Sequence, residues 1–472
     1  MSAAAIAQTI GNIQHRQIRD PASIAPMPQA SERHMPLDPA STKRVLLIAF
    51  HFPPFKGGSG PERTLAFCRN LPGLGWQPIV LSAKPMAYEF VSDERLKDIP
   101  PEVIVKRAFA LDAARHFAVR GRYPPWAALP DRWISWVLGA VPSGWRLIRE
   151  HRPRFIWSTY PITTAHIVGY LLARVSGLPW IADFRDPMVE FVERTQTLYP
   201  AEPRLRNARL RVERLAAVRA AMMVFCTQGA AEIFARRYPQ VSAERIHVIP
   251  NGYDEASFPA RAELDLKATT RLTLVHSGVL YPGPDRDPTT FLEAIRALLD
   301  AEPRWRERLC IVLRASAHDG VYRPVIERLA LAPWVELAPP LPYRDALEEM
   351  LHASGLLVFQ GHTSNPAIPA KLYEYFRAGR PIFAMVDDAG DTAALLRAEG
   401  VGTLVPIDDA KRIQAGLSEF LAAVEAGMSP VLGRDRAASF ERGARAADLA
   451  RLLDRLDSQA PDTAATVARG RR

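Results

Sequence analysis

The sequence predicts an α/β protein of two Rossmann-like domains, each built on a parallel sheet, facing a cleft between them. Three observations carry this. Short apolar runs of strand length alternate with helical patterns along most of the chain. The order strand, glycine loop, helix start occurs once in each half, at residues 43–71 and again from residue 271. The polar motifs stand directly after apolar runs, and ligands in such sheets bind beyond the carboxyl ends of strands.

The 472 residues suffice for two domains with tails, and 48% of them are apolar, enough for a large core. The net charge of +9 permits an anionic partner such as the phosphates of a small ligand, an anionic lipid or a nucleic acid, without choosing among them. Cys68, Cys226 and Cys310 lie in apolar contexts and none has metal-ligand spacing, so a reduced, cytoplasmic protein with no metal and no cofactor is expected. Residues 1–42 are rich in Ala, Pro, Ser and Gln and lack a sustained apolar core. They read as a disordered leader, not a signal peptide. The longest apolar stretch, 162–181, is broken by His166, Arg174, Gly177 and Pro179, which argues against a membrane span. Residues 457–472 read as a disordered tail.

In the first half, residues 43–50 form a buried-strand pattern. Gly57, Gly58 and Gly60 follow, then a helical pattern over 63–71. A strand, glycine loop and helix start make an anion cradle, although the spacing is not G-x-G-x-x-G. Further strands are expected at 77–82 and 103–106. Over 106–154 ten Lys or Arg face three acids, with Trp126, Trp133, Trp136 and Trp145 interleaved. Two readings stand side by side: a surface lying on an anionic membrane, or a core helix with Trp inside and Arg outside. No nucleic-acid-binding motif accompanies the charge, so nucleic acid is not an expected partner.

A strand at 155–158 leads into a helix whose first residues include Thr163, Thr164 and His166. Thr163 and His166 are candidates to meet a substrate, though a lone His in a helix also simply packs. The strand 178–182 ends in Asp183-Phe184-Arg185-Asp186-Pro187. Two carboxylates and a guanidinium at a strand end mark a cleft. Asp183 or Asp186 there would orient or deprotonate a substrate hydroxyl, and the alternative is a turn in which Arg185 holds both acids. The helix at 204–219 carries six arginines against Glu213 and reads as solvated.

A strand ending at Pro250-Asn251-Gly252 sets the expected boundary between domains 43–250 and 251–426. The strand 271–278 ends at Gly278, and its loop carries Arg286. After the apolar run 356–359 comes a polar loop, then a helix whose first turn suits Pro369 and whose end suits Gly379, then a strand from Pro381. Lys371 and Glu374 share a face of that helix. A cation at a helix N-terminus suits phosphate, and a carboxylate suits paired sugar hydroxyls; the alternative is a solvated ion pair. A closing amphipathic helix is expected within 427–456.

Residues 366–385 resemble the donor-binding segment of the family 4 (group 1) glycosyltransferases, which have the GT-B fold. Asp183–Pro187, Pro250–Asp254 and Leu341–Leu347 resemble further segments of that family, in the same order, and the resemblance spans about residues 43–456. It implies a nucleotide-diphosphate sugar donor, with Glu374 on the ribose and Lys371, Gly278 and Arg286 at the diphosphate. It also brings the backbone around Ile368, and that of Gly57, Gly58 and Gly60, to the donor. Many members have a Glu where this chain has Pro366. The resemblance further implies a glycan or lipid-linked acceptor on the first domain, with Asp183, Arg185 and Asp186 as the catalytic group; Thr163 and His166, by their place at the helix start, are the candidate acceptor contacts. Transfer would retain configuration without a bound metal, in surface polysaccharide or glycolipid synthesis at the inner membrane face. Two other readings are a nucleotide-sugar epimerase and a non-catalytic member that binds a partner or membrane.

Overall fold

The computed structural model describes residues 43–57, 60–118, 120, 122–192, 194–259 and 271–459. The readings of Gly58, of the leader and of the tail beyond 459 lie outside the described residues.

The first sheet takes β1 (Lys43–Ile48), β2 (Trp76–Ala83), β3 (Ile104–Ala108), β4 (Phe155–Thr159) and β5 (Trp180–Arg185). A small antiparallel hairpin follows, β6 (Glu190–Val192) with β7 (Thr197–Tyr199). The chain then adds β8 (Met222–Phe225) and β9 (Ile246–Val248). The order is β3-β2-β1-β4-β5-β8-β9, and every pairing is parallel. The second sheet holds β10 (Leu272–Ser277), β11 (Leu309–Arg314), β12 (Val335–Ala338), β13 (Gly355–Gln360), β14 (Ile382–Val386) and β15 (Thr403–Val405). Its order is β12-β11-β10-β13-β14-β15, again all parallel.

In both sheets the winding reverses beside the first strand, between β1 and β4 and between β10 and β13. A crevice opens at such a reversal, beyond the strand ends, because the flanking helices depart to opposite faces. The expectation of two α/β units with parallel sheets is met.

Parallel strands covered on both faces read as continuous apolar runs. In β1, Leu46 and Ile48 pack into a core with Trp136, Val168 and Leu172 from the helices Trp136–His151 and Thr164–Ser176. Val45 and Leu47 face the other way, toward Leu65 and Phe67 of the helix Gly60–Asn70. Leu449 and Leu453 of the last helix, Arg442–Gln459, join that same core. The chain therefore returns from the second sheet to finish the first. The basic, Trp-rich stretch divides: Trp136 is buried in the core, whereas Trp126 and Leu138 are each 74% exposed. Among the described residues, no helix is long and apolar enough to cross a membrane.

Candidate active site

The helix Ala370–Ala378 starts after Pro369 and stops at Gly379, whose φ of 63° is a left-handed conformation that glycine adopts without a Cβ clash. The N–H groups of Ala370 and Lys371 have no intrahelical acceptor, and the Lys371 side chain lies across the end of β10. There Gly278 has φ 132°, and a Cβ on it would lie 2.6 Å from Lys371 Nζ. Only glycine lets the lysine lie across this strand end. Lys371 Nζ is 3.2 Å from His276 Nε2, and His276 Nδ1 is 2.9 Å from the carbonyl of Leu357. The imidazole thus donates through Nδ1 and accepts through Nε2, because burial keeps it neutral.

Burial and the neighbouring Arg286 push the Lys371 ammonium down to about 7, with Glu374 opposing. Two cations held together at a helix start suit an anion. Arg286 Nε lies 3.2 Å from Asp285 Oδ2. That Nε and the other oxygen, Asp285 Oδ1, are buried without a hydrogen-bond partner among the described residues. The structure thus brings Lys371, Gly278 and Arg286 together, although Arg286 is eight residues beyond Gly278. Glu374, one turn along from Lys371, accepts from Tyr343 Oη at 2.7 Å. Burial raises its carboxyl above the usual range.

The loop before this helix is tied down by its own carbonyls. Gln360 Nε2 donates to Ser364 O and Ala367 O, both at 2.7 Å. Asp391 N donates to Asn365 O at 2.8 Å, and Thr227 Oγ1 to Pro366 O at 2.5 Å. These four carbonyls are taken. Ile368 packs part-buried against the second sheet's core, so what the loop offers a ligand is N–H donors.

In the first half, Asp183 is fully buried at the end of β5. Arg63 grips both its oxygens at 3.1 and 3.2 Å, and Thr159 Oγ1 donates to it at 2.7 Å. This corrects the expectation for Asp183: its carboxylate is spent inside the protein and does not meet a substrate. The turn is salt-bridged, but through Arg63, not Arg185. Arg185 has φ 62° at a register shift between β5 and β8, and this turns its side chain toward the glycine loop. Its Nη1 donates to Gly60 O at 3.2 Å and Tyr160 O at 3.4 Å, while its buried Nε has no partner among the described residues. Asp186 is half-buried, and no described side chain donates to its carboxylate. Burial raises its carboxyl, with Arg185 opposing.

Glu190, at the start of β6, was not singled out by sequence. Burial and the like charges of Asp186 and Asp285 push its carboxyl up to about 7. Asp285 comes from the second half, so these acids adjoin across the cleft. No local pattern marks Glu190; only the hairpin brings it there.

Thr163 and His166 are a second correction. Both are fully buried. His166 Nδ1 pairs with Ser158 Oγ at 2.7 Å, and Trp180 Nε1 donates to the same oxygen at 2.7 Å. Burial pushes His166 down to about 3, so it is a neutral packing residue that cannot reach an acceptor. Gly57 and Gly60 line a cavity of about 370 Å³ beside the end of β1.

Residues 58–252 match the family described as glycosyl transferase 4-like domain. The chain carries a glycosyl transferase 4-like domain. No curated protein matches the sequence. Solved structures extend the likeness over both sheets and show that the chain has the GT-B fold. Sucrose-phosphate synthase from Thermosynechococcus elongatus is 18% identical, with 89% of this chain and 100% of that chain covered and a TM-score of 0.60. Anabaena HepE is similar in its complex with UDP (15% identity, 87% and 99% covered, TM-score 0.59). Its complex with UDP-glucose gives 14% identity, 87% and 99% covered, and a TM-score of 0.58. WaaG, a glycosyltransferase involved in lipopolysaccharide biosynthesis, is 15% identical, with 86% and 99% covered and a TM-score of 0.58. At these identities the likeness is one of fold.

Proposed function

We propose that this glycosyltransferase moves a sugar from a nucleotide-diphosphate sugar to a hydroxyl of a glycan or lipid-linked acceptor, with retention of configuration. The observation that carries this is the pairing of Lys371 with Arg286 over Gly278, one helical turn from Glu374. The two cations and the helix N–H groups neutralise the diphosphate, and Glu374 accepts from the ribose hydroxyls. In the transfer, the bond from the sugar's anomeric carbon to the phosphate oxygen breaks, and a bond to the acceptor oxygen forms on the same face. The acceptor proton passes to the departing phosphate. Asp186 orients the acceptor hydroxyl as a free carboxylate on the cleft side of β5. Lys371 and Arg286 counter the negative charge of the leaving diphosphate, so the reading needs no metal.

The acceptor side faces an anionic membrane in this reading, in the assembly of a surface glycan or glycolipid at the cytoplasmic face. Supporting it are exposed Trp126, Leu138 and Phe90 beside a stretch with ten cations and three acids.

The test is calorimetry of nucleotide diphosphates and nucleotide sugars, UDP and UDP-glucose included, on wild type and Glu374→Ala. Selective binding of one nucleotide, weakened in the variant, is expected. A folded wild type that binds none of them would overturn the proposal.

A further inference from the structure

The cavity at the end of β1 is built for more than turning the chain. His51, Phe55, Tyr88 and Trp133 line it, together with Lys56 and Arg132. Its rings form one connected cluster. His51 and Phe55 stack with centroids 4.0 Å apart and planes 14° apart. Tyr88 stands edge-on to Phe55 at 5.2 Å, and Trp133 edge-on to His51 at 6.0 Å. Flat aromatic walls suit the apolar C–H face of a sugar ring, and about 370 Å³ is ample for one pyranose.

The polar groups sort themselves. Arg132 is occupied: it lies 3.2 Å from Glu89, 3.3 Å from Asp112 and 4.5 Å over the Trp133 ring. Lys56 is exposed, and among the described residues no acid pairs with it. It is the unpaired cation of the cavity, because Glu89, which also lines it, is held by Arg132. His51 is neutral, pushed down to about 4 by burial and by Arg185 and Arg132. Its ring nitrogens make no hydrogen bond among the described residues, so it offers one donor and one acceptor to a hydroxyl.

The cavity also touches the reacting end of the first sheet. Gly60 lines it, and a Cβ on Gly60 would sit 3.8 Å from His51 Nδ1 and 4.0 Å from Arg185 Nη1. A ring bound among the aromatics therefore has one edge beside Gly60, next to the Arg185 guanidinium.

We infer that this cavity holds the acceptor, and that the acceptor is a pyranose carrying an anionic group, a carboxylate or a phosphate, with the ring on the aromatic walls and the anion at Lys56. The inference rests on the glycosyl-transfer reading above.

The test titrates glucuronate, galacturonate, glucose 6-phosphate, mannose 6-phosphate and neutral methyl glucoside into the full chain, with and without UDP, by calorimetry. At least one anionic sugar is expected to bind about tenfold more tightly than the neutral one, the size of one charge-assisted hydrogen bond. Lys56→Ala is expected to erase that difference. Lys56 is exposed, so its removal does not threaten folding. Uronates binding without sugar phosphates, or the reverse, names the anion. The inference is overturned if no sugar binds, if neutral and anionic sugars bind alike, or if Lys56→Ala changes nothing. UDP binding is read separately, so its failure strikes the donor reading and leaves the sugar result to decide the cavity.

Discussion

Thr227 Oγ1 donates to the carbonyl oxygen of Pro366 at 2.5 Å, joining the first half of the chain to the loop that leads into the donor helix. Two residues on, Gly229 N donates to Asp391 Oδ2 at 2.8 Å. The N-terminus of the helix Gln228–Arg237 is thereby capped by a carboxylate from the other half. The donor loop is held by the first half's own helix start.

Asp391→Ala removes an acceptor from a part-buried helix start. Chemical denaturation is expected to show a loss of about 1–2 kcal/mol, the usual cost of a lost cap. Asp391→Asn keeps an oxygen acceptor and should lose less. Equal stability of wild type and the Ala variant would mean that the contact between the halves carries no weight.

Lys371 titrates near 7 in the folded protein, against 10.5 ordinarily. Between those values the unfolded chain binds the extra proton, so this group's contribution makes stability rise as pH increases from about 7 toward 10.5. A bound diphosphate favours the ammonium. UDP should therefore take up a proton on binding at pH 8, and its affinity should fall as pH rises above 7. Calorimetry in buffers of different ionisation enthalpy reads the uptake. Lys371→Met should abolish both effects.

Asp183 and Asp186 should separate cleanly. Asp183→Asn weakens the hold on the buried Arg63 guanidinium, and Asp183→Ala leaves it unpaired, at a cost of about 3–5 kcal/mol. A lower melting temperature is the expected result. Asp186→Asn should melt close to wild type but lose sugar transfer. Comparable melting of all three variants would contradict the division of roles.

Glu190 has the opposite sign to Lys371. Its folded value is about 7 against 4.5 ordinarily, so between these the native state holds the extra proton and its contribution to stability declines as pH rises. Glu190→Gln should thus raise the melting temperature at pH 8 and leave it nearly unchanged at pH 4. A gain of the same size at both would show that the carboxylate's neighbours do not act on it.

What the sequence determined by itself is local. Apolar runs of strand length report both-face burial, so the alternation of strands and helices was legible, as was the helix between Pro369 and Gly379. Lys371 and Glu374 fell on one face because helical spacing alone puts them there. The tertiary structure decided which charges meet. Asp183 pairs with Arg63, 120 residues away, although Arg185 is its near neighbour in sequence. Asp183 and Arg185 are two residues apart, so regular alternation would put them on one side of the sheet, but the register shift and the positive φ of Arg185 turn its side chain to the glycine loop. His166 sits inside because its helix face meets Ser158 and Trp180 across β4 and β5. Glu190 and the aromatic cavity at His51 arise where segments distant in sequence are packed together. Chain periodicity describes a segment's own faces and carries no record of what another segment will lay against them.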